Sequence, residues 1–193
     1  MKRALAVVLL LVLVLSPLLL FAAAAVTLSS PGPLIYRSRR RGLGGAPFDC
    51  FKFRTMYQDA DRLQPDLEVA NEVGGAIFKM RNDPRVTPIG RFLRRWSIDE
   101  FPQLFNVLRV EMSLVGPRPL PERDYQRLED WHRKRYLVLP GMTGLWQVSG
   151  RSELDFDELV RLDFLYLERW SVFLDLSIML KTIPAVLRAR GAW

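Results

Sequence analysis

From Ala4 to Val26 the chain reads ALAVVLLLVLVLSPLLLFAAAAV without a single charge, and the architecture turns on what this segment becomes. As a straight helix at about 1.5 Å per residue it would run roughly 34 Å, more than the ~30 Å hydrocarbon layer of a bilayer. Three readings compete: a helix that spans a membrane, a secretory signal peptide, and a helical hairpin that enters and leaves on one side. Met1-Lys2-Arg3 and the small residues Ala22–Ala25 suit a signal peptide. Ser16-Pro17, near the middle, suits the hairpin. Proline there removes the hydrogen bond to the carbonyl of Leu13 and bends the helix, while Ser16 can re-satisfy a freed backbone group. Charge separates spanning from re-entry. Lys2 and Arg3 precede the segment and Arg37, Arg39, Arg40 and Arg41 follow it, so both ends favour the cytoplasmic side. A re-entrant membrane helix over residues 1–28 is expected.

The remaining residues, 29–193, are enough for one domain with a core of its own. A net charge of +7 points to an anionic partner: phospholipid headgroups, a phosphorylated substrate or nucleic acid. With Cys50 the only cysteine, an internal disulfide is excluded. With His132 the only histidine, a histidine-based metal site or a Ser-His-Asp triad is disfavoured, and acids, bases or nucleophiles must come mostly from carboxylates.

Local patterns predict an α+β fold, predominantly helical. Leu34–Arg37 and Phe48–Arg54 read as short strands around Gly42-Leu43-Gly44-Gly45, a small β-hairpin. Those glycines lack the Lys-Ser/Thr ending of a phosphate loop. Thr87 as N-cap and Pro88 at the first position open a helix whose Ile89, Phe92, Leu93 and Trp96 share one face. A second helix is expected from Ser97–Glu100 to about Arg109, and a strand over Met112–Val115. A polar helix runs from Pro121 to about Tyr136, and Pro140–Gly144 is a loop. Two helices, broken near Trp170-Ser171, fill Phe156–Leu187. Helices carrying Phe or Trp opposite Arg fit a membrane surface, or equally the packing of a core.

The run Arg94-Arg95-Trp96-Ser97-Ile98-Asp99-Glu100 has two readings. Ser97-x-x-Glu100 is a capping box, with acids merely complementing a helix dipole. Alternatively, Asp99 caps, Pro102 falls harmlessly at N3, and the paired carboxylates beside arginines do chemistry. An aspartate of reference pKa ~3.9 is ionised at neutral pH and can attack phosphorus without a dedicated base. Helix amides and Arg94 would stabilise the phosphoryl oxygens. Lys52 and Arg54 alternate on one strand face, a spacing that suits a diphosphate clamp or an exposed face. Pro117 and Pro119 fix the backbone around Arg118, presenting its guanidinium at little entropic cost, or simply making a stiff connector. Asp155-x-Asp157 resembles a glycosyltransferase metal pair, and equally the N-terminal acids of a helix.

Taken together, Phe51–Met56 (FKFRTM), Arg94–Asn106 (RRWSIDEFPQLFN), Met112–Leu120 (MSLVGPRPL) and Pro140–Arg151 (PGMTGLWQVSGR) resemble the bacterial sugar transferase family. These are monotopic phosphoglycosyl transferases that initiate lipid-linked glycan assembly. The resemblance covers nearly the whole chain and implies a membrane helix hinged at Ser16-Pro17. It also implies amphipathic interfacial helices and a catalytic domain on the cytoplasmic face of the inner membrane. By the same resemblance Asp99, with Glu100 completing the dyad, attacks the sugar-bearing phosphate of a UDP-sugar and releases UMP. The phosphosugar then passes to polyprenyl (undecaprenyl) phosphate. Mg²⁺ is the implied metal, with Asp99 contributing to it. Arg94 matches a phosphate-binding arginine, and Pro117-Arg118-Pro119 a segment for the nucleotide sugar. Lys52, Arg54 and Arg151 are expected anion contacts from position and charge. The C-terminal wording is closest to exopolysaccharide-type hexose-phosphate transferases. One departure is that Met1–Val8 has no acidic residue, which the family commonly carries before its membrane helix.

Two rivals make different predictions. A metal-dependent glycosyltransferase would need Asp155 and Asp157 and tolerate loss of Asp99. An exported basic binding protein would need aromatics interleaved with a basic groove for nucleic acid, and none is evident, so no nucleic-acid partner is expected.

Overall fold

The computed structural model describes residues 2–72, 78, 80, 82–150 and 155–188. The first element, α1 (Lys2–Ser29), is one helix through Pro17. Proline lacks the N–H that would reach Leu13, and the Ser16 hydroxyl donates to that same carbonyl at 2.7 Å. Exposure varies along all of α1: Val8 is buried in its first half, and Leu20, Phe21 and Leu28 are exposed in its second. Leu9, Leu10, Leu13 and Val14 stay exposed, while Ala22 (0%) and Val26 (1%) are buried among Phe53, Leu93 and Ile98. The last turns of the apolar helix are therefore part of the domain core.

Beyond α1, β1 (Ile35–Arg41) and β2 (Pro47–Phe53) form an antiparallel hairpin in register Ile35↔Phe53 through Arg41↔Pro47. The first strand runs four residues past the predicted Arg37, because the turn closes later. Gly44 and Gly45 take φ of 63° and 75°, and Gly42 N–H bonds to Ala46 O at 2.8 Å. Short α2 (Gln64–Leu67) follows, then α3 (Pro88–Arg95). Thr87 caps α3 by accepting from Gly90 N–H at 2.9 Å, as the Thr-Pro pair predicted. Gly90 lets α3 meet the loop after β2, since a Cβ there would lie 2.0 Å from Thr55 O. On α3, Leu93 is buried while Phe92 is 49% exposed, so the apolar face is narrower than its spacing suggested.

The single helix expected over 97–109 is instead a 3₁₀ turn, Ile98–Glu100, and a separate α4 (Gln103–Leu108). Asn106 of α4 is fully buried and acts as a strand partner for β2. Its Oδ1 accepts from Phe51 N–H at 3.0 Å and its Nδ2 donates to Asp49 O at 2.7 Å. Next comes β3 (Ser113–Val115), and α5 (Glu122–Gln126) opens the stretch expected as one polar helix. Glu129 is extended and starts a second turn-rich run, Asp130–Leu137, with His132 Nδ1 accepting from Glu129 N–H.

The segment expected as a loop contains β4 (Gly141–Thr143), paired in parallel with β3. Only glycine fits at 141, where a Cβ would sit 2.1 Å from Gly116 N. The chain closes with α6 (Leu145–Ser149), α7 (Phe156–Glu168) and α8 (Val172–Leu187), broken at Trp170-Ser171 as predicted. A second core unites Leu120, Leu128, Tyr136, Trp146, Phe156 and Val160. The fold is α+β and mostly helical, with two small two-stranded sheets among the described residues.

Candidate active site

Between the hairpin, the Ile98–Glu100 turn and the C-terminal helices lies a cavity of about 670 Å³. Lys52, Arg54, Arg94, Asp99, Glu100 and Arg118 all line it, so six sequence candidates drawn from three distant motifs converge. The turn that presents the dyad depends on Ser97, held at φ 55°, ψ 21°. That left-handed residue stops α3 and reverses the chain, a conformation that L residues enter at a cost. Neither expected cap forms: Ser97 makes no side-chain cap, and Asp99 lies inside the 3₁₀ turn while Pro102 takes the N-cap position of α4. Glu100 is spent otherwise. Its Oε1 accepts from Lys52 Nζ at 2.8 Å and from Arg118 Nη2 at 2.5 Å, and its Oε2 from Arg118 Nη1 at 3.2 Å.

The two carboxylates therefore differ sharply. Burial opposes ionisation of Glu100, but Arg118 and Lys52 outweigh it and hold the carboxyl well below the usual range. Asp99, 6% exposed, has no hydrogen-bond partner among the described residues. Burial pushes its pKa up, and Lys52, Arg94 and Arg118 offset that only in part because Glu100 pushes the same way. One acid is locked in an ion pair; its neighbour faces the cavity unpaired and more basic than an ordinary aspartate.

The cations are positioned from behind. Against the effect of burial, Glu100 raises the pKa of Arg118 above its ordinary value. The loop that carries Arg118 is gripped at two carbonyls, Pro119 O by Arg40 Nη1 and Arg118 O by Arg135 Nη2 (2.8 Å). Arg135 is itself fully buried against Asp163 of α7 at 2.6 Å. Pro117 and Pro119 frame Arg118 but do not line the cavity. Arg94 gives its Nε to Thr55 Oγ1 at 2.9 Å, and no hydrogen bond among the described residues occupies its terminal nitrogens. Burial lowers its pKa and Asp99 counters that.

Arg54 has another task. Its Nη2 donates to Ser30 O (2.5 Å) and Val26 O (3.3 Å) and its Nη1 to Pro33 O (2.7 Å), closing the carbonyl end of α1. Sequence reasoning grouped it with Lys52, since carbonyl partners leave no trace in spacing. It also missed Arg85, buried on Asp83 at 2.6 Å, and Arg123; both line the cavity. Arg151 lies outside the described residues.

Residues 1–189 match the model of the family described as bacterial sugar transferase. The chain belongs to that family. The exopolysaccharide production protein ExoY of Rhizobium meliloti (strain 1021) is 46% identical over 189 residues, 94% of this chain and 82% of the relative. Galactosyl transferase CpsE of Streptococcus agalactiae serotype III (strain NEM316) is 46% identical over 162 residues, 83% of this chain but 36% of the relative. UDP-glucose:undecaprenyl-phosphate glucose-1-phosphate transferase of Caulobacter vibrioides (strain ATCC 19089 / CIP 103742 / CB 15) is 46% identical over 187 residues, 92% and 66%. Against the larger of these bacterial sugar transferases the chain thus spans little more than a third of the relative's length.

The rival metal pair takes a different place from the dyad. Asp155 caps α7, accepting from Glu158 N–H at 2.7 Å while Glu158 reaches back to Asp155 N–H. Neither Asp155 nor Asp157 lines the cavity. Among the described residues no group of three or more His, Cys, Asp or Glu is placed to hold a metal. The unpaired Asp99 still fits Mg²⁺, which takes one or two carboxylates and completes its shell with water and substrate phosphate.

Proposed function

We propose that this bacterial sugar transferase moves a sugar 1-phosphate from a UDP-sugar to polyprenyl phosphate in two steps through a covalent Asp99 intermediate. The carrying observation is the division of labour in the dyad: a buried, unpaired Asp99 next to a Glu100 neutralised by Lys52 and Arg118. Relatives named as undecaprenyl-phosphate galactose and glucose phosphotransferases support the reaction class and a hexose donor.

In the first step an Asp99 carboxylate oxygen bonds to the sugar-bearing phosphorus. The bond from that phosphorus to the bridging oxygen breaks, and the electron pair leaves on UMP. In the second step a phosphate oxygen of polyprenyl phosphate bonds to the same phosphorus, the aspartyl bond breaks and Asp99 regains its charge. Phosphoryl transfer of this kind depends on positioning and charge stabilisation more than on proton transfer. Arg94 presents its terminal nitrogens to the phosphoryl oxygens, and Lys52 and Arg118 keep Glu100 from adding a free negative charge where anions must collect. Asp99 would hold Mg²⁺, which neutralises phosphate charge when bound.

The apolar N-terminal half of α1 would carry this site to the cytoplasmic face of the inner membrane. Val8–Ser29 is long and apolar enough to cross a bilayer. Basic residues at both ends and the Ser16 bond that relieves Pro17 support re-entry. The test of function is UMP release from UDP-galactose and UDP-glucose by purified enzyme with Mg²⁺ and polyprenyl phosphate. Acceptor-dependent UMP release that Asp99→Asn abolishes is expected. UDP release, or full activity in Asp99→Asn, would refute the reading.

A further inference from the structure

Two sets of side chains meet at the dyad and differ in chemistry. On one side, Arg85 donates to Gln64 Oε1 at 2.6 Å, Gln64 to Glu68 at 2.8 Å, and Arg123 to the same Glu68 oxygen. With Tyr36, whose hydroxyl is 3.5 Å from Asp61 Oδ2, these make a polar wall rich in donors and acceptors. Gln64, Arg85, Arg123 and Tyr36 all line the cavity. The C-terminal elements contribute apolar lining from Met142, Trp146, Leu159 and Val186, with Thr143, Gln147 and Thr182 among them. Thr143 and Thr182 spend their hydroxyls on each other at 2.7 Å, and the Gln147 amide donates to Met142 O at 2.7 Å. Thr182 also donates to Ile178 O at 2.8 Å, so both threonine hydroxyls are engaged by protein groups. The Trp146 ring lies 5.9 Å from the guanidinium of Arg118, so this apolar lining begins beside the Glu100 clamp. It ends on α8, where the neighbouring Leu180, Ile183 and Leu187 are exposed.

Given the two-substrate reaction proposed above, on which this inference rests, we infer that the cavity has two arms divided by Asp99 and Glu100. The polar arm takes the nucleotide sugar. The apolar arm, between Trp146 and the Thr182–Val186 turn of α8, takes the first isoprene units of polyprenyl phosphate. Both substrates carry phosphate, so the cations at the dyad cannot tell them apart; the group attached beyond the phosphate is wholly polar in one and wholly apolar in the other. A hydrocarbon chain gains only where it leaves water, and the arm leads it directly to the exposed apolar stripe of α8.

The test is Val186→Glu in the full-length enzyme, assayed in detergent micelles with the acceptor at fixed surface concentration. A carboxylate in the arm is expected to raise the KM for polyprenyl phosphate about tenfold or more, the scale of discrimination in an apolar substrate pocket. The KM for the UDP-sugar, and the exchange of labelled UMP into UDP-sugar without acceptor, are expected to stay within about twofold of wild type. An unchanged acceptor KM, or a rise in donor KM instead, overturns the inference. Absence of UMP exchange in the wild type would refute the two-step reading, while the acceptor KM still decides the arm. Should Val186→Glu misfold, a polyprenyl phosphate bearing a photoreactive group on its first isoprene unit, used with wild type, replaces it. Adducts within residues 142–147 and 182–187 support the arm, and adducts confined to α1 or the hairpin overturn it.

Discussion

Asp99 and Glu100 are adjacent and chemically alike, yet their surroundings assign them opposite roles. Since burial raises the pKa of Asp99, the folded protein holds that proton more tightly than the unfolded chain does, and an ionised Asp99 lowers stability as pH rises through the interval between the two. Asp99→Asn removes that penalty. It is expected to cut transfer about a thousandfold or more while leaving the melting temperature equal or higher, measured by activity and thermal unfolding on one preparation. For Glu100 the sign reverses. Its stabilising ion pairs are fully present above the ordinary glutamate range and are lost as pH falls through its depressed value. In the proposed mechanism activity needs ionised Asp99, so the acidic limb of the pH–rate profile should lie above the ordinary aspartate value of ~3.9. Glu100→Gln deletes a neighbouring charge that pushes Asp99 up, and is expected to move that limb to lower pH as overall activity falls. A limb that moves upward would contradict this electrostatic account. The dyad could be named in sequence through the family resemblance, since two acids beside two arginines by themselves left the capping reading open. Which acid is free was not legible, because Lys52 and Arg118 arrive from 48 and 18 residues away.

At the scale of elements, the motifs were easiest to read where a residue acts on its own neighbours. Thr87-Pro88 opens α3, Ser16 answers Pro17, and Asp155 caps α7, each through bonds within four residues. Reading failed where a side chain serves a distant backbone: Arg54 on the end of α1, Asn106 along β2, Arg135 under the Arg118 loop. The parallel pairing of β4 with β3 was missed for the same reason, since Gly141 shows its purpose only against Gly116. Arg54 supplies a direct test. Arg54→Ala leaves three carbonyls without their donor, two of them on the buried Val26 and Ser30, and is expected to lower the melting temperature by several degrees, with a smaller effect on donor KM. A large loss of donor affinity at unchanged stability would return Arg54 to the anion-binding set. For α1, single cysteines placed at Lys2 and Arg39 should both react with an impermeant maleimide in inside-out vesicles and neither in right-side-out ones. Labelling of the two from opposite sides would show a spanning helix.

Across the whole molecule, α1 is both anchor and core element. Leu9, Leu10, Leu13 and Val14 offer bare apolar surface, and Ala22 and Val26 pack with Ile98, the residue just before Asp99. One helix thus carries exposed apolar surface and also supports the turn that presents Asp99 and Glu100. The net charge of +7 suits the anionic lipid surface and the two phosphorylated substrates proposed for it. The central claim, that Asp99 carries the phosphosugar, is tested most directly by rapid quench and peptide mass mapping of enzyme mixed with UDP-hexose and Mg²⁺ and no acceptor. The account predicts a hexose-phosphate adduct on Asp99, formed in step with UMP and discharged when polyprenyl phosphate is added. An adduct on Glu100, or acceptor-dependent product formed with no adduct and no UMP before the acceptor arrives, would contradict it.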